Sequence, residues 1–377
     1  MPADKASPYL ISICLSVALT AVFVVTTLWC TQKCGIQYVT YDGSAVEDFP
    51  VDAVYTWVNS KDPAWKTAYA QHFPPRKLSK KRFNNNRAPA AELQTSVELL
   101  LHHCPWVRTV YIATMRPQVP PFLHEPSFAD WITTGRIKVI HHDEFFEDAS
   151  VLPVFNSRPI EGNLHRIPNL SKRWLYLNDD FMTGRPVEKN MLFHGGKPVV
   201  RGNFKLVVPL LAQARLKEQQ HLSGWTNNGK VLGYMWYFHN DHNATPVDSD
   251  VIADVAAQPA VQPHWSRTLQ SRLRDHDQIV PLGLVDNVAL DAGQYVCFRD
   301  SPVKTYCKLA QGVPWHYDMS FLKKYHFFCI NNIEPGKMVE SLNKIRAAFR
   351  LEPLATQQLY AHAHAAAGSA SASASSS

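Results

Sequence analysis

Four short runs of β-branched and aromatic residues, set apart by helical or loop-like sequence, constrain the fold of this 377-residue chain more than any other feature. They are Val51–Val58 (VDAVYTWV), Thr109–Ala113 (TVYIA), Ile137–Ile140 (IKVI) and Trp174–Leu177 (WLYL). Each is apolar along nearly its whole length, as a strand covered on both faces must be. Between the first two, Ala88–His103 sets Leu93, Val97, Leu100 and Leu101 at helical spacing, and Pro105 ends the pattern. Strand alternating with helix marks a parallel sheet with crossover helices. The expectation is an α/β, Rossmann-like fold, its mostly parallel sheet flanked by helices. Tyr325–Asn331 and Met338–Arg350 add a late strand and helix. In between the pattern fades: Pro209–His221 reads as a helix, Gly224–Gly233 as a polar loop, and 262–320 has no clear period. Residues 202–260 therefore read as an insertion-like region in one domain spanning 51–355.

The flanks read differently. Tyr9–Cys30 carries no charge and is long enough to cross a bilayer, which takes about 20 apolar residues. An uncleaved signal anchor is expected there in preference to a cleaved signal peptide, since no small-x-small cleavage pattern stands near Cys30. Residues 1–8 become a cytoplasmic tail and 31–50 a stem, giving a type II protein of the Golgi or secretory-pathway membrane with a lumenal body. Two sequons, Asn169-Leu170-Ser171 and Asn243-Ala244-Thr245, are compatible with that route. Cys297, Cys307 and Cys329 lie near enough in sequence to allow a disulfide. Residues 356–377 are an Ala/His and Ser/Ala tail of low complexity. A net charge of +6 is mild, and the cluster Arg76-Lys77 with Lys80–Arg82 reads as a solvated loop or, second, as a contact for an anionic substrate; no nucleic-acid partner is expected.

The chemistry concentrates in Leu152–Met182, which holds Asn156, Ser157, Glu161, His165, Arg166, Asn178, Asp179 and Asp180 among apolar anchors. Burying so many polar groups unpaired would cost several kcal/mol each. Asn178-Asp179-Asp180 follows the WLYL strand at its carboxyl end, where open α/β sheets bind ligands. Two adjacent carboxylates there suit a divalent metal or an acid/base pair; many nucleotide-sugar transferases hold Mg2+ or Mn2+ against a diphosphate in this way. The plainer alternative is a helix cap. His165-Arg166 offers a titratable and a permanent cation for a diphosphate. Asp52 inside the first strand and Asn59 after it could hold a nucleotide's base or ribose, or Asp52 could cap a neighbouring turn. Glu92 opens the first helix, whose amino end could favour a phosphate or simply belong to a core helix. Phe327–Asn332 is a strand ending in short polar side chains, or an Asn-rich turn.

Taken together, these blocks resemble the conserved regions of the Stealth family of hexose-1-phosphate transferases. The first is VDAVYTWVNSKDP at Val51–Pro63; the second is HHCPWVRTVYIAT, Gln118-Val119-Pro120 with Leu123, LPVFNS, IEGNLHRIPNLS and LYLNDD; the fourth is Phe327–Phe349. The resemblance covers residues 51–186 and 325–355. It implies transfer of a sugar-1-phosphate from a nucleotide diphosphate sugar (UDP-N-acetylglucosamine or GDP-mannose type) to a hydroxyl of a glycan acceptor, releasing nucleoside monophosphate. Under that resemblance Asp179 and Asp180 hold Mg2+ or Mn2+ or supply a base, Asn332 is a further ligand, and His264 is the alternative base. Arg166 and His165 hold the diphosphate. Asp52, Trp57 and Asn59 line the nucleotide, and Asn156, Ser157 and Glu161 the sugar. The chain departs from the family at three places. His264 in Gln262-Pro263-His264-Trp265 is the nearest counterpart of the third region, with Arg299 standing for its downstream arginine. Asn331-Asn332 replaces Asn-Asp, and Gln94 and Glu98 occupy basic positions. Two rival readings are a metal-dependent glycosyltransferase releasing nucleoside diphosphate and an inactive glycan-binding subunit.

Overall fold

The computed structural model describes residues 16–21, 23–24, 36–41, 48–73, 89–206, 220–234, 236–240, 242–298, 306–308, 318–330 and 338–354. Its centre is a five-stranded sheet. β1 (Val51–Thr56) is followed by α1 (Pro89–His103), β2 (Val107–Thr114) and β3 (Ile137–His141). After α2 (Ser157–Asn163) comes β4 (Arg173–Asn178), which pairs parallel with β1 on the side away from β2. β5 (Phe181–Thr183) follows at once. Further on lie α3 (Gln220–Leu232), β6 (Trp236–Asn240), β7 (Thr245–Asp248), α4 (Gln262–Leu269), α5 (Pro281–Asp291), β8 (Phe327–Cys329) and α6 (Met338–Phe349). The order across the sheet is β7-β4-β1-β2-β3, parallel except for β7, which runs antiparallel at the edge. The expected α/β architecture is what the chain forms, and the expected strands are present to within a few residues.

Sequence alternation puts a different core on each face of this sheet. Val54, Tyr111, Trp174 and Tyr176 turn one way, onto a cluster that includes α5 residues Leu284 and Val285. Ala53, Tyr55, Val110, Ile112, Leu175 and Leu177 turn the other way, onto Leu93, Val97 and Leu100 of α1. Full burial of each large apolar side chain contributes about 1.5–3 kcal/mol, so the double-faced strands anchor the fold. In register, Thr56 lies beside Ala113 and Asn178, which aligns the carboxyl ends of β1, β2 and β4.

Asp52 sits at the opposite, amino end of β1, beside Trp174. Its carboxylate is wholly buried and accepts from Arg108 Nε at 2.9 Å and Nη2 at 2.6 Å, Thr109 N at 3.1 Å and Ser171 N at 2.7 Å. The expectation that Asp52 lines a nucleotide fails for that reason: its lone pairs are spoken for, and it stitches β2 and the β4 approach to β1.

Three other expectations change. Gly224–Leu232 lies within helix α3, not in a loop, and Gly233 follows its end in a left-handed turn. Asn228, fully buried, donates from Nδ2 to the Val280 carbonyl at 3.0 Å and accepts from Val280 N at 2.9 Å, so its polar groups face a protein partner in place of water. Residues 262–298 hold α4 and α5. The segment 202–260 is not merely inserted, since it supplies β7 to the central sheet and α3 to its cover. Of Tyr9–Cys30, residues 16–21 and 23–24 are helical and the rest lies outside the described residues, as do 1–8, Arg76–Arg82, most of Pro209–His221 and the tail beyond 354. Among the described residues no helix is long and apolar enough to cross a membrane. Cys297 and Cys329 form no disulfide.

Candidate active site

A cavity of about 380 Å³ opens beside the carboxyl end of β4. One wall is α2. Asn156 caps this helix by accepting from Arg158 N at 3.2 Å, and its Nδ2 donates to Gln278 Oε1 at 3.0 Å. That cap fixes Ser157, Arg158 and Glu161 along the wall. Arg158 is almost fully buried and donates to the Asp275 carbonyl at 3.0 Å and Gln278 Oε1 at 3.3 Å. A Cβ on Gly224 of α3 would lie 2.3 Å from Arg158 Nη2, so the helix passes this guanidinium only because that residue is glycine. Arg274 reaches the cavity from the loop before α5, donating from Nη2 to Ser157 Oγ at 2.6 Å. Arg274 forms no ion pair among the described residues. Two permanent cations thus converge on one concave surface, the arrangement that recognises phosphate oxygens.

The facing wall is aromatic and amide. Trp225 of α3 lies 4.5 Å, centroid to centroid, from the His239 ring of β6, and Gly283 of α5 leaves room for the indole. Burial, with the charges of Lys205 and His242, lowers the His239 imidazole to about 4, so it is neutral near pH 7. Asn240 donates to Asp286 of α5, whose carboxyl burial pushes up to about 7. The Asn240 side-chain carbonyl oxygen is itself buried and has no hydrogen-bond partner among the described residues. On the floor the Tyr176 hydroxyl lies 2.7 Å from Asn178 Oδ1 and 3.3 Å from Glu161 Oε1. Burial and the Glu161 charge raise the Tyr176 phenol, which stays protonated.

Next to the floor, Asp179 and Asp180 form the turn joining β4 to β5; no helix follows, so the capping alternative drops out. β5 pairs antiparallel with β8, setting Cys329 opposite Phe181. Cys329 Sγ therefore reaches Asp180 Oδ2 at 3.6 Å and His242 Nδ1 at 4.0 Å. The potential ligand atoms of Asp180, His242 and Cys329 all lie within 4.8 Å of one another. Mg2+ takes oxygen ligands in near-octahedral array, so a set with one carboxylate, one imidazole and one thiol does not fit it. Asp179 is outside the trio, and Asn332 lies outside the described residues.

Of the expected residues, Ser157, Glu161 and Asn178 line this cavity, Asn156 caps the helix that carries the first two, Asp179 and Asp180 lie in the turn just after Asn178, and the others are apart from it. Arg166 pairs with Glu147 at 2.7 Å on the surface. Burial, then the Arg166 charge, lowers His165 to about 4, so it carries no charge to offer a diphosphate. Trp57 is buried in the core beneath α1. Asn59 is engaged by Gln118, whose Oε1 accepts from Asn59 N at 3.0 Å. His264 is half-buried on α4 and does not line the cavity, whose imidazoles are those of His239 and His242. Glu98, at a position basic in the family, forms a buried ion pair with Arg346 of α6. Arg158, Arg274, Trp225, His239 and His242 were not anticipated. The pattern His239-Asn240-Asp241-His242-Asn243 directly after the aromatic run Trp236–Phe238 is the signal that could have found two of them.

Comparison with known proteins returns the family that the motifs resemble. Residues 49–71 match the model of Stealth protein CR1, conserved region 1, and residues 82–199 that of Stealth protein CR2, conserved region 2. A capsular polysaccharide phosphotransferase of Aeromonas hydrophila is 37% identical over 204 residues, 52% of this chain and 52% of that protein. One from Neisseria meningitidis serogroup B is 34% identical over 158 residues, covering 40% of this chain and 39% of its own. An exopolysaccharide phosphotransferase of Streptomyces coelicolor is 41% identical over 145 residues, or 36% of this chain and 21% of that protein. The chain thus spans about half or less of the length of these curated relatives. A galactosyltransferase LgtC structure with donor and acceptor sugar analogs aligns over 81% of this chain and 98% of its own, with 9% identity and a TM-score of 0.41.

Proposed function

We propose that this chain, which carries Stealth conserved regions 1 and 2, transfers a sugar-1-phosphate from a nucleotide diphosphate sugar to a glycan hydroxyl. The observation that carries the reading is the pair Arg158 and Arg274 in a cavity at the carboxyl end of the sheet, in a chain whose relatives are named polysaccharide phosphotransferases. In this scheme the two guanidiniums grip the diphosphate, with Arg274 held in place by Ser157. Trp225 offers an apolar face to the sugar. The acceptor oxygen attacks the sugar-bearing phosphorus and its proton passes to the Glu161 carboxylate. The bridging P–O bond breaks, and nucleoside monophosphate leaves with that electron pair. Such a step depends on alignment and charge neutralisation more than on covalent catalysis. The Mg2+ or Mn2+ implied by the family has no step in the scheme, because Cys329 and His242 beside Asp180 suit neither an all-oxygen shell nor Mg2+. Anchoring through Tyr9–Cys30 and a lumenal site in the secretory pathway belong to the same proposal.

The test is product identity. Full-length protein is incubated with UDP-N-acetylglucosamine or GDP-mannose and a glycan acceptor, and the released nucleotide is identified. Nucleoside monophosphate with a phosphodiester in the product is expected. Nucleoside diphosphate would replace the proposal with sugar transfer alone, and a chain that binds no nucleotide sugar would leave the inactive subunit. In sealed microsomes the body is expected to be protected from added protease; digestion there would remove the lumenal placement.

A further inference from the structure

The disagreement between the family's hard cation and the donors beside the cavity has a chemical reading of its own. Asp180 reaches the trio from the β4–β5 turn, His242 from the short link between β6 and β7, and Cys329 from the end of β8. Three separate elements bring one oxygen, one nitrogen and one sulfur donor together. Asp180 and Cys329 are buried and His242 is half-buried. Cys329 Sγ lies 3.6 Å from Asp180 Oδ2 and 4.0 Å from His242 Nδ1. Tetrahedral zinc, with bonds of about 2.3 Å to sulfur and about 2.0–2.1 Å to nitrogen or oxygen, spaces sulfur from its neighbours by about 3.5 Å. The observed separations are within a few tenths of an ångström of that spacing. We infer that Asp180, His242 and Cys329 form a binding site for a borderline, thiophilic divalent cation of the Zn2+ class.

Three protein donors are the complement of a zinc site that keeps a fourth position for water or substrate, whereas closed structural sites have four. His242 also lines the cavity, so the site adjoins the space where phosphate oxygens are proposed to bind. A thiolate selects against Mg2+ and in favour of Zn2+. The inference goes beyond the proposed transfer and does not rest on it.

Cobalt reads this directly. Full-length chain titrated with Co2+ is expected to bind one equivalent and to develop a thiolate-to-cobalt charge-transfer band in the near ultraviolet. Cys329→Ser should abolish the band, and Asp180→Asn should keep it while weakening affinity. For Zn2+, measured by competition with a chromophoric chelator, Cys329→Ser and His242→Ala should each lose about 100-fold or more, since losing an outer partner of a ligand already costs about 10–100-fold. Excess Mg2+ should displace no Zn2+. A Co2+ complex without the band, or Zn2+ affinity equal in wild type and Cys329→Ser, overturns the site. If Cys329→Ser does not fold, as judged by circular dichroism, the wild-type band and the Asp180→Asn affinity decide alone. None of these readouts needs turnover, so failure of the transfer reaction and failure of the metal site are told apart.

Discussion

The two ends of the β1–β4 strand pair invite comparison, because each carries acidic and basic side chains yet their states differ. At the amino end, Asp52 is enclosed by Arg108, Thr109 and Ser171, and its carboxylate oxygens accept four hydrogen bonds between them. At the carboxyl end, Arg274 bonds only neutral oxygens among the described residues, and Glu161 shares a hydroxyl with Asn178. A strand residue and its neighbour four positions on are about 13 Å apart. Over that length the chain passes from polar groups paired with one another to polar groups left for a ligand. A buried charge whose partners are complete stabilises, while convergent groups with capacity to spare recognise something else.

Breaking the amino end should have the largest effect. Asp52→Ala leaves the Thr109 and Ser171 N–H groups and the Arg108 guanidinium without their acceptor, and should cost about 3 kcal/mol of stability in chemical denaturation. Nucleotide-sugar affinity of the molecules that remain folded should be unchanged; a specific loss of affinity would restore Asp52 to the binding site. The carboxyl end should respond in the opposite sense. Arg274→Ala should alter stability by less than about 1 kcal/mol, yet lower kcat/KM for transfer about 100-fold, the usual effect of removing one preorganised donor. Equal kcat/KM in the variant and wild type would show that the cavity is not where the diphosphate binds.

The sheet was legible because a doubly buried strand must be apolar throughout: WLYL and VDAVYTWV admit few other readings. Half of the site was legible for a related reason, since Asn156, Ser157 and Glu161 share a short segment that leads straight into β4. The other half was hidden because its residues are distant in sequence and become neighbours only through tertiary packing. Arg274 stands on a loop without periodicity, and His242 and Cys329 meet Asp180 through pairing of β5 with β8 and a link between two strands. Asp52 was misread because an acidic residue in a strand looks alike whether it binds a ligand or ties down a corner; only its four donors tell them apart. The polar surface of α3 misled in the same way, as Asn228 serves Val280 and not solvent.

His165 sharpens the comparison with the smallest expected effect. Next to Arg166 it looked like half of a cationic pair, yet burial and the Arg166 charge lower it to about 4. The folded chain therefore resists a proton that the unfolded chain, near 6.5, takes up readily. Between about pH 6.5 and 4 the unfolded state binds more protons, so stability is fully present above that window and falls as pH drops through it. Its share at pH 5 is about 1 kcal/mol after allowance for partial solvent access. His165→Gln, which cannot take up the proton, should flatten the acid limb of the stability curve by that amount and leave kcat/KM near pH 7 unchanged. If the variant lost transfer activity with the same acid limb as wild type, His165 would be acting on the ligand, and the line drawn here between satisfied and receptive polar groups would have to move to include it.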